Sequence, residues 1–329
     1  MNKENLIRFE KTLAEKGCFQ FQEYCERNNV YSLLSQINNT TKNREVAPFK
    51  TLNSTFVDMF SDVLDFYKKL DYELYEKLIM TIDSDKTVFK HSEPKEKGGV
   101  NFAGTHGDWR EIVVNPENTI NGKVVMTHEF SHALSQRIQE MKRPKEDCIG
   151  EIESKFIEYV YYDYLFKNGE ISEDEYKNFV NMHNNTLKSE ATYILQENDV
   201  LNILKQIGPF DEKSFEKFDD IAKHDERYAR NYGPIMRNLK ELSNFENENA
   251  KASYYYRYVV GELVGRTLFS EYKEEFEKTG ETKETIGKFK KFLDTSADIN
   301  LEQTAKTLLG ENYMQKISKE FGIDLPKTK

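Results

Sequence analysis

Hydrophobic positions in the first part of the chain recur with helical spacing. Val30, Leu33, Leu34 and Ile37 fall at i, i+3, i+4 and i+7, so they share one helix face. Phe56, Met59, Phe60, Val63, Leu64 and Tyr67 repeat the pattern. That run follows Asn53-Ser54-Thr55, with Asp58 three residues beyond Thr55, a cap-like start. Tyr72, Tyr75 and Leu78 continue the helical spacing. Over residues 87–116 the pattern changes to short β-like runs broken by turn residues. The runs are Thr87-Val88-Phe89, Val100-Asn101-Phe102 and Ile112-Val113-Val114, the last ended by Asn115-Pro116. Gly98-Gly99 and Gly104-Thr105-His106-Gly107 lie between them. This predicts a small sheet embedded in a helical protein.

Helical spacing resumes over residues 119–141 and stops at Arg143-Pro144, because a proline restricts the residue before it. A second helix is expected over 150–166, and Ser172-x-x-Glu175 is a capping-box start for a third. Gly208-Pro209 and Gly233-Pro234 read as breakers, and 244–249 as a polar loop. A helix over 251–272, a charged loop over 279–285 and two short helices complete the chain. There is no internal repeat or low-complexity tract, and no linker demands a boundary. One mainly helical unit with two lobes is expected.

Composition narrows the partners. The 329 residues carry 47 Lys+Arg against 57 Asp+Glu, a net charge of −10. A charged fraction of 32% would suit a disordered chain, but 22 Phe and 19 Tyr supply a sizeable core. The acidic balance argues against nucleic acid as a partner, since backbone binding needs a basic face. No stretch approaches 18 apolar residues, so no membrane span is expected. The segment after Met1 is charged and amphipathic, unlike a signal core. Cys18, Cys25 and Cys148 form a sparse, odd set and read as free thiols of a reducing compartment. Together these lead to a cytoplasmic expectation. A monomer fits the pattern, which does not specify oligomeric state.

The chemistry concentrates in His128-Glu129-Phe130-Ser131-His132, an H-E-x-x-H motif. On a helix, residues four apart share a face, so His128 and His132 present both imidazoles to one point, a pair that suits zinc. Glu129 adjoins them and could accept a proton from a metal-activated water. A catalytic zinc needs a third protein ligand. Glu151 is the leading candidate, on a returning helix, with Glu153 as the alternative. Glu151, Ser154, Lys155 and Glu158 share a face of that helix, while Ile152, Phe156, Tyr159 and Val160 lie away from it. Glu158 could accept the second N–H of a ligand histidine and fix its tautomer. His91 and His106 read as surface loop residues, and His183 and His224 as solvent-facing positions of polar helices. The cysteines lack metal spacing, and Cys148 is expected to be packed.

These residues resemble the zinc peptidases of the thimet oligopeptidase and oligoendopeptidase F group. Four stretches carry the resemblance: Gly98-Gly99 through Ile112-Val113-Val114-Asn115; Met126 to Leu134 around the motif; Gly150-Glu151 with Glu158; and Tyr254-Tyr255-Tyr256-Arg257-Tyr258-Val259-Val260-Gly261. Lys291 to Asp298 is a weaker echo. The resemblance implies a mainly α, zincin-type (neurolysin-like) fold with a small β-sheet before the zinc helix. It implies a zinc-dependent metalloendopeptidase acting on short peptides, with one Zn2+ per chain held by His128, His132 and Glu151 and with Glu129 as general base. Tyr258, with Tyr255 or Tyr254, would bind the oxyanion or the substrate. The strand at 112–115, with Val113 and Val114, would pair with the peptide. The alternatives within the same resemblance are a protease specialised for one protein or propeptide, and an inactive peptide-binding module.

Two features depart from the group. Residues 244–253 contain no histidine ahead of the tyrosines. The gap from His132 to Glu151 is also shorter than usual, matching that of a separate aminopeptidase group, which leaves Glu153 open as a ligand. Only 127 residues precede His128. A reduced helical roof over 1–86, ahead of a catalytic region over 87–329, and a more open cleft are expected.

Overall fold

The computed structural model describes residues 13, 17–106, 109–135, 148–208, 213–242, 254–295 and 300–323. Among the elements described in full, helices α1 (Cys18–Arg27), α2 (Val30–Thr40), α3 (Phe56–Leu70) and α4 (Tyr72–Ile82) come first. The spacing that predicts α2 and α3 is the spacing they bury: Leu33, Leu34 and Ile37 on α2, and Met59, Val63, Phe66 and Tyr67 on α3. The expected cap of α3 forms a reciprocal box. The Thr55 hydroxyl accepts from the Asp58 backbone N–H, and the Asp58 carboxylate accepts from the Thr55 N–H at 2.9 Å.

The expected small sheet has three strands, β1 (Thr87–His91), β2 (Phe102–His106) and β3 (Trp109–Val114), in the order β1-β3-β2. β1 runs parallel and β2 antiparallel to β3. The second strand starts two residues later than the run at Val100 suggested. Asn101 is drawn into the turn instead, where its side chain accepts from the Asn115 backbone N–H. Gly99 permits that close approach: a Cβ there would lie 2.9 Å from the Cβ of Asn115. The topology corrects one expectation. Val113 pairs with Lys90 on one side and Phe102 on the other, and Val114 pairs with His91. β3 is therefore the central strand, and its paired edges leave no place for a peptide. The open edges belong to β1 and β2.

Helix α5 (Ile120–Leu134) carries the H-E-x-x-H motif and is buried along most of its length. Residues 136–147, where the sequence placed the end of this helix, lie outside the described residues. There follow α6 (Ile152–Lys167), α7 (Glu173–Ile207), α8 (Ser214–His224), a short 3-10 turn at Ala229–Asn231, and α9 (Tyr232–Leu242). Gly233-Pro234 does not break the chain but sits in the first turn of α9, where a proline's missing N–H costs nothing. The expected loop at 244–249 also lies outside the described residues. Then come α10 (Tyr256–Thr279), α11 (Lys283–Leu293), α12 (Leu301–Leu309) and α13 (Tyr313–Phe321). Among the described residues three short helices, rather than two, follow α10.

Among the described residues two hydrophobic cores form. The larger joins α3, α5, α6, α10 and the first half of α7. The smaller gathers Cys18, Val200, Leu204, Phe218, Tyr228, Ile235 and Leu239. The 35-residue α7 runs through both, through Phe179, Leu187, Ala191 and Ile194 and then Val200 to Leu204. Residues on either side of position 86 share the larger core. Phe60 meets Phe130 edge-on at 5.7 Å, and the Tyr67 hydroxyl donates to the Thr127 carbonyl at 2.9 Å. Among the described residues no helix is long and apolar enough to cross a membrane.

Candidate metal centre

Thr119 caps α5 by accepting from the Gly122 N–H, which starts the helix and fixes its phase. Two turns later His128 and His132 project from one face, their Nε2 atoms 3.1 Å apart. Glu151, the N-cap residue of α6, brings Oε2 to 3.4 Å from His128 Nε2 and 3.3 Å from His132 Nε2. Among the described residues this is the group of His, Cys, Asp or Glu donors that could hold a metal ion. A tetrahedral zinc site with bonds of 2.0–2.1 Å has donor–donor edges of about 3.3 Å. The triangle of donor atoms has that size.

The outer nitrogens are also held. His128 Nδ1 lies 2.5 Å from Glu158 Oε1, and His132 Nδ1 lies 3.3 Å from Glu153 Oε1. A neutral imidazole donating from Nδ1 leaves a bare lone pair on Nε2. Two such lone pairs, 3.1 Å apart beside a carboxylate oxygen, suit a shared cation. Glu153 thus stands behind His132, while Glu151 stands in front of both rings. The field at the three donors favours a cation there, whether a proton on a ring nitrogen or a metal ion. Burial opposes a charged His132, but Glu151 and Glu153 outweigh it and hold the ring's pKa up at about 10. Burial likewise opposes ionisation of Glu151, yet His132, His128 and Arg257 hold its carboxyl well below the usual range. The pocket favours positive charge where the three donors meet, and the donor set fits zinc.

Glu129 is buried beside this group. Burial pushes its carboxyl pKa up, partly offset by His128, His132 and a backbone hydrogen bond from Ala103 on β2. A cavity of about 230 Å³ adjoins His128 and Glu129 and reaches Tyr258, Lys155 and Glu190. Of the sequence-derived tyrosines, Tyr258 lines this cavity, and its hydroxyl lies 2.7 Å from that of Tyr254. Burial, Glu151 and Tyr254 all raise its pKa, so the phenol keeps its proton. Tyr255 does not line the cavity; its ring stacks on Tyr193 at 4.8 Å. Tyr256 is buried against Tyr31, with hydroxyls 2.8 Å apart.

His183 overturns its sequence reading. It was expected to face solvent and is instead 4% exposed. Nδ1 lies 2.8 Å from Glu262 Oε2, and Nε2 faces Glu158 Oε2 at 3.2 Å as an ion pair, not an aligned hydrogen bond. Lys155 Nζ donates to both oxygens of Glu158 at 3.2 and 3.1 Å. The Tyr159 hydroxyl donates to Glu262, so Tyr159 also serves this network although the face analysis set it aside. The histidine that holds Glu158 thus stands behind the pair of His128 and Glu158. A signal for it existed: Phe179, Leu187, Ala191 and Ile194 form a buried stripe of α7, and position 183 falls on that stripe. His224 is exposed beside Asp220, and His91 stacks on Phe56 at 4.0 Å.

No protein-family model and no curated protein matches the sequence. Solved structures do match in fold. A protein assigned as an oligoendopeptidase F from Bacillus anthracis str. Ames superposes with a TM-score of 0.50 over 98% of this chain and 56% of that one, at 12% identity. A protein assigned as a peptidase from Chlamydophila abortus superposes with a TM-score of 0.46 over 93% of this chain and 55% of that one, at 15% identity. The chain spans little more than half the length of either. Its mainly helical fold, with a three-stranded sheet ahead of the motif helix, is similar to that of the first.

Proposed function

We propose that the protein is a zinc-dependent metallopeptidase that hydrolyses short peptides. The observation that carries this is the convergence of His128 Nε2, His132 Nε2 and Glu151 Oε2 at 3.1–3.4 Å, beside Glu129 and a cavity. When bound there, zinc supplies Lewis acidity toward a water and a scissile carbonyl. Glu129 takes the proton of the attacking water and passes it to the leaving amine. Tyr258 donates its phenolic O–H to the oxyanion that develops on the carbonyl, and Tyr254 holds that hydroxyl in place. Glu158 and Glu153 orient the two imidazoles.

With β3 paired on both sides, an extended substrate would add to the outer edge of β2, whose Ala103 N–H already reaches Glu129. The fold likeness to the Bacillus anthracis protein agrees with this reading. The test is digestion of a peptide library, with and without a chelator, read by mass spectrometry. Cleavage that stops on chelation and returns with zinc is expected. An intact library under both conditions would overturn the proposal.

A further inference from the structure

The cavity beside the motif is small, about 230 Å³, below the range of pockets that enclose whole drug-sized ligands and suited to one side chain. Val124, Val125, Met182 and Leu187 give it apolar walls. Most of its carboxylates are matched. Glu158 meets His128 and Lys155, Glu262 meets His183 and Tyr159, and Glu129 adjoins the metal ligands. Glu190 differs. Its carboxylate lines the same cavity, is half-buried, and makes no hydrogen bond or ion pair among the described residues. The ammonium of Lys155 is engaged by Glu158 and does not close that gap. Burial pushes the Glu190 carboxyl up to about 8, with Glu262 and Glu151 adding to the rise and Lys155 and His183 only partly opposing it.

The geometry points to Glu190 as the specificity-determining residue of this cavity, receiving a substrate cation whose methylene stem lies along the apolar wall. The cation is an ammonium or guanidinium, from a Lys or Arg side chain or from the substrate's own amino terminus. This rests on the peptidase reading above. A half-buried carboxyl without a partner gains a charge-assisted hydrogen bond by ionising beside such a group, and discriminates against a neutral isostere that leaves it unpaired.

The test uses the full zinc-loaded chain carrying Glu129→Gln, so that peptides are held uncleaved. Calorimetric titration compares N-acetylated pentapeptides that differ only in lysine or norleucine, each repeated with a free amino terminus. The cationic peptide should bind about tenfold more tightly, and adding Glu190→Gln should erase the difference while norleucine binding persists and reports an intact fold. A preference that follows only the free terminus assigns the cation to that source. Equal binding of all four peptides, a preference that survives Glu190→Gln, or no binding at all would overturn the assignment. Turnover of the norleucine peptide by the unaltered protein tests the peptidase reading separately. Chelator-sensitive cleavage with no cationic preference would sink Glu190 alone.

Discussion

Gly261 of α10 lies directly on Glu151: a Cβ at position 261 would be 2.7 Å from both the Cβ and the carbonyl oxygen of Glu151. Gly265, one turn on, repeats the approach, 2.8 Å from the backbone nitrogen of Phe156. The tyrosine-bearing helix thus meets the start of α6 backbone to backbone. That contact sets where the Glu151 carboxylate points. Gly261→Ala should force the two helices apart, costing about 1–3 kcal/mol and weakening zinc binding. Thermal unfolding with and without zinc measures both effects. An unchanged Tm together with unchanged zinc affinity would contradict the role given to this contact.

The two supporting carboxylates are unequal. Glu158 lies 2.5 Å from His128 Nδ1, against 3.3 Å for Glu153 and His132. Glu158→Gln should lower zinc affinity by about 10–100-fold, and Glu153→Gln by less. Competition with a chromophoric chelator ranks the two. The reverse order would show that distance to the ring is not what matters.

His183 separates two buried carboxylates, Glu158 and Glu262. Its replacement by alanine should cost about 3–5 kcal/mol, the price of leaving buried charge uncompensated. The pH dependence has a definite sign. Burial lowers the pKa of His183, but Glu262 and Glu158 more than offset this and raise it. Its contribution is therefore full below about pH 6.5 and fades as pH rises through the elevated value. Burial raises the Glu262 pKa, but His183 and Lys155 bring it below its ordinary value, so its contribution fades as pH falls through that lowered value. Denaturant titrations of the parent and His183→Ala proteins should differ most between about pH 4.3 and 6.5. A difference that grows toward alkaline pH would contradict the assignment.

Tyr258→Phe removes the hydroxyl that lines the cavity but keeps the ring. It should lower kcat by about 10²–10³-fold with little change in KM. Tyr255→Phe, whose ring rests on Tyr193, should have a much smaller effect. Steady-state kinetics on one peptide compares them. Equal losses would return Tyr255 to the reaction centre.

The legible parts of this molecule are local ones. A motif of five residues on one helix brings two imidazoles together whatever surrounds it, and a capping box such as Thr55 with Asp58 is complete within four residues. The sheet's three runs were visible for the same reason. Their order was not, since the flank of Val113 is taken by Lys90 and Phe102, whose pairing depends on tertiary folding. His183 was missed because its burial is decided by partners on α6 and α10; Glu262 is 79 residues away along the chain. A polar helix face looks solvated until the charges that meet it are known.

The central claim is that His128, His132 and Glu151 hold a zinc ion beside a base, Glu129. The most direct test measures metal content and peptide turnover on the same preparations of the unaltered and Glu129→Gln proteins. The account predicts one zinc per chain in both and cleavage only in the unaltered protein. An unaltered protein that takes up no zinc, or a Glu129→Gln variant with undiminished turnover, would contradict it.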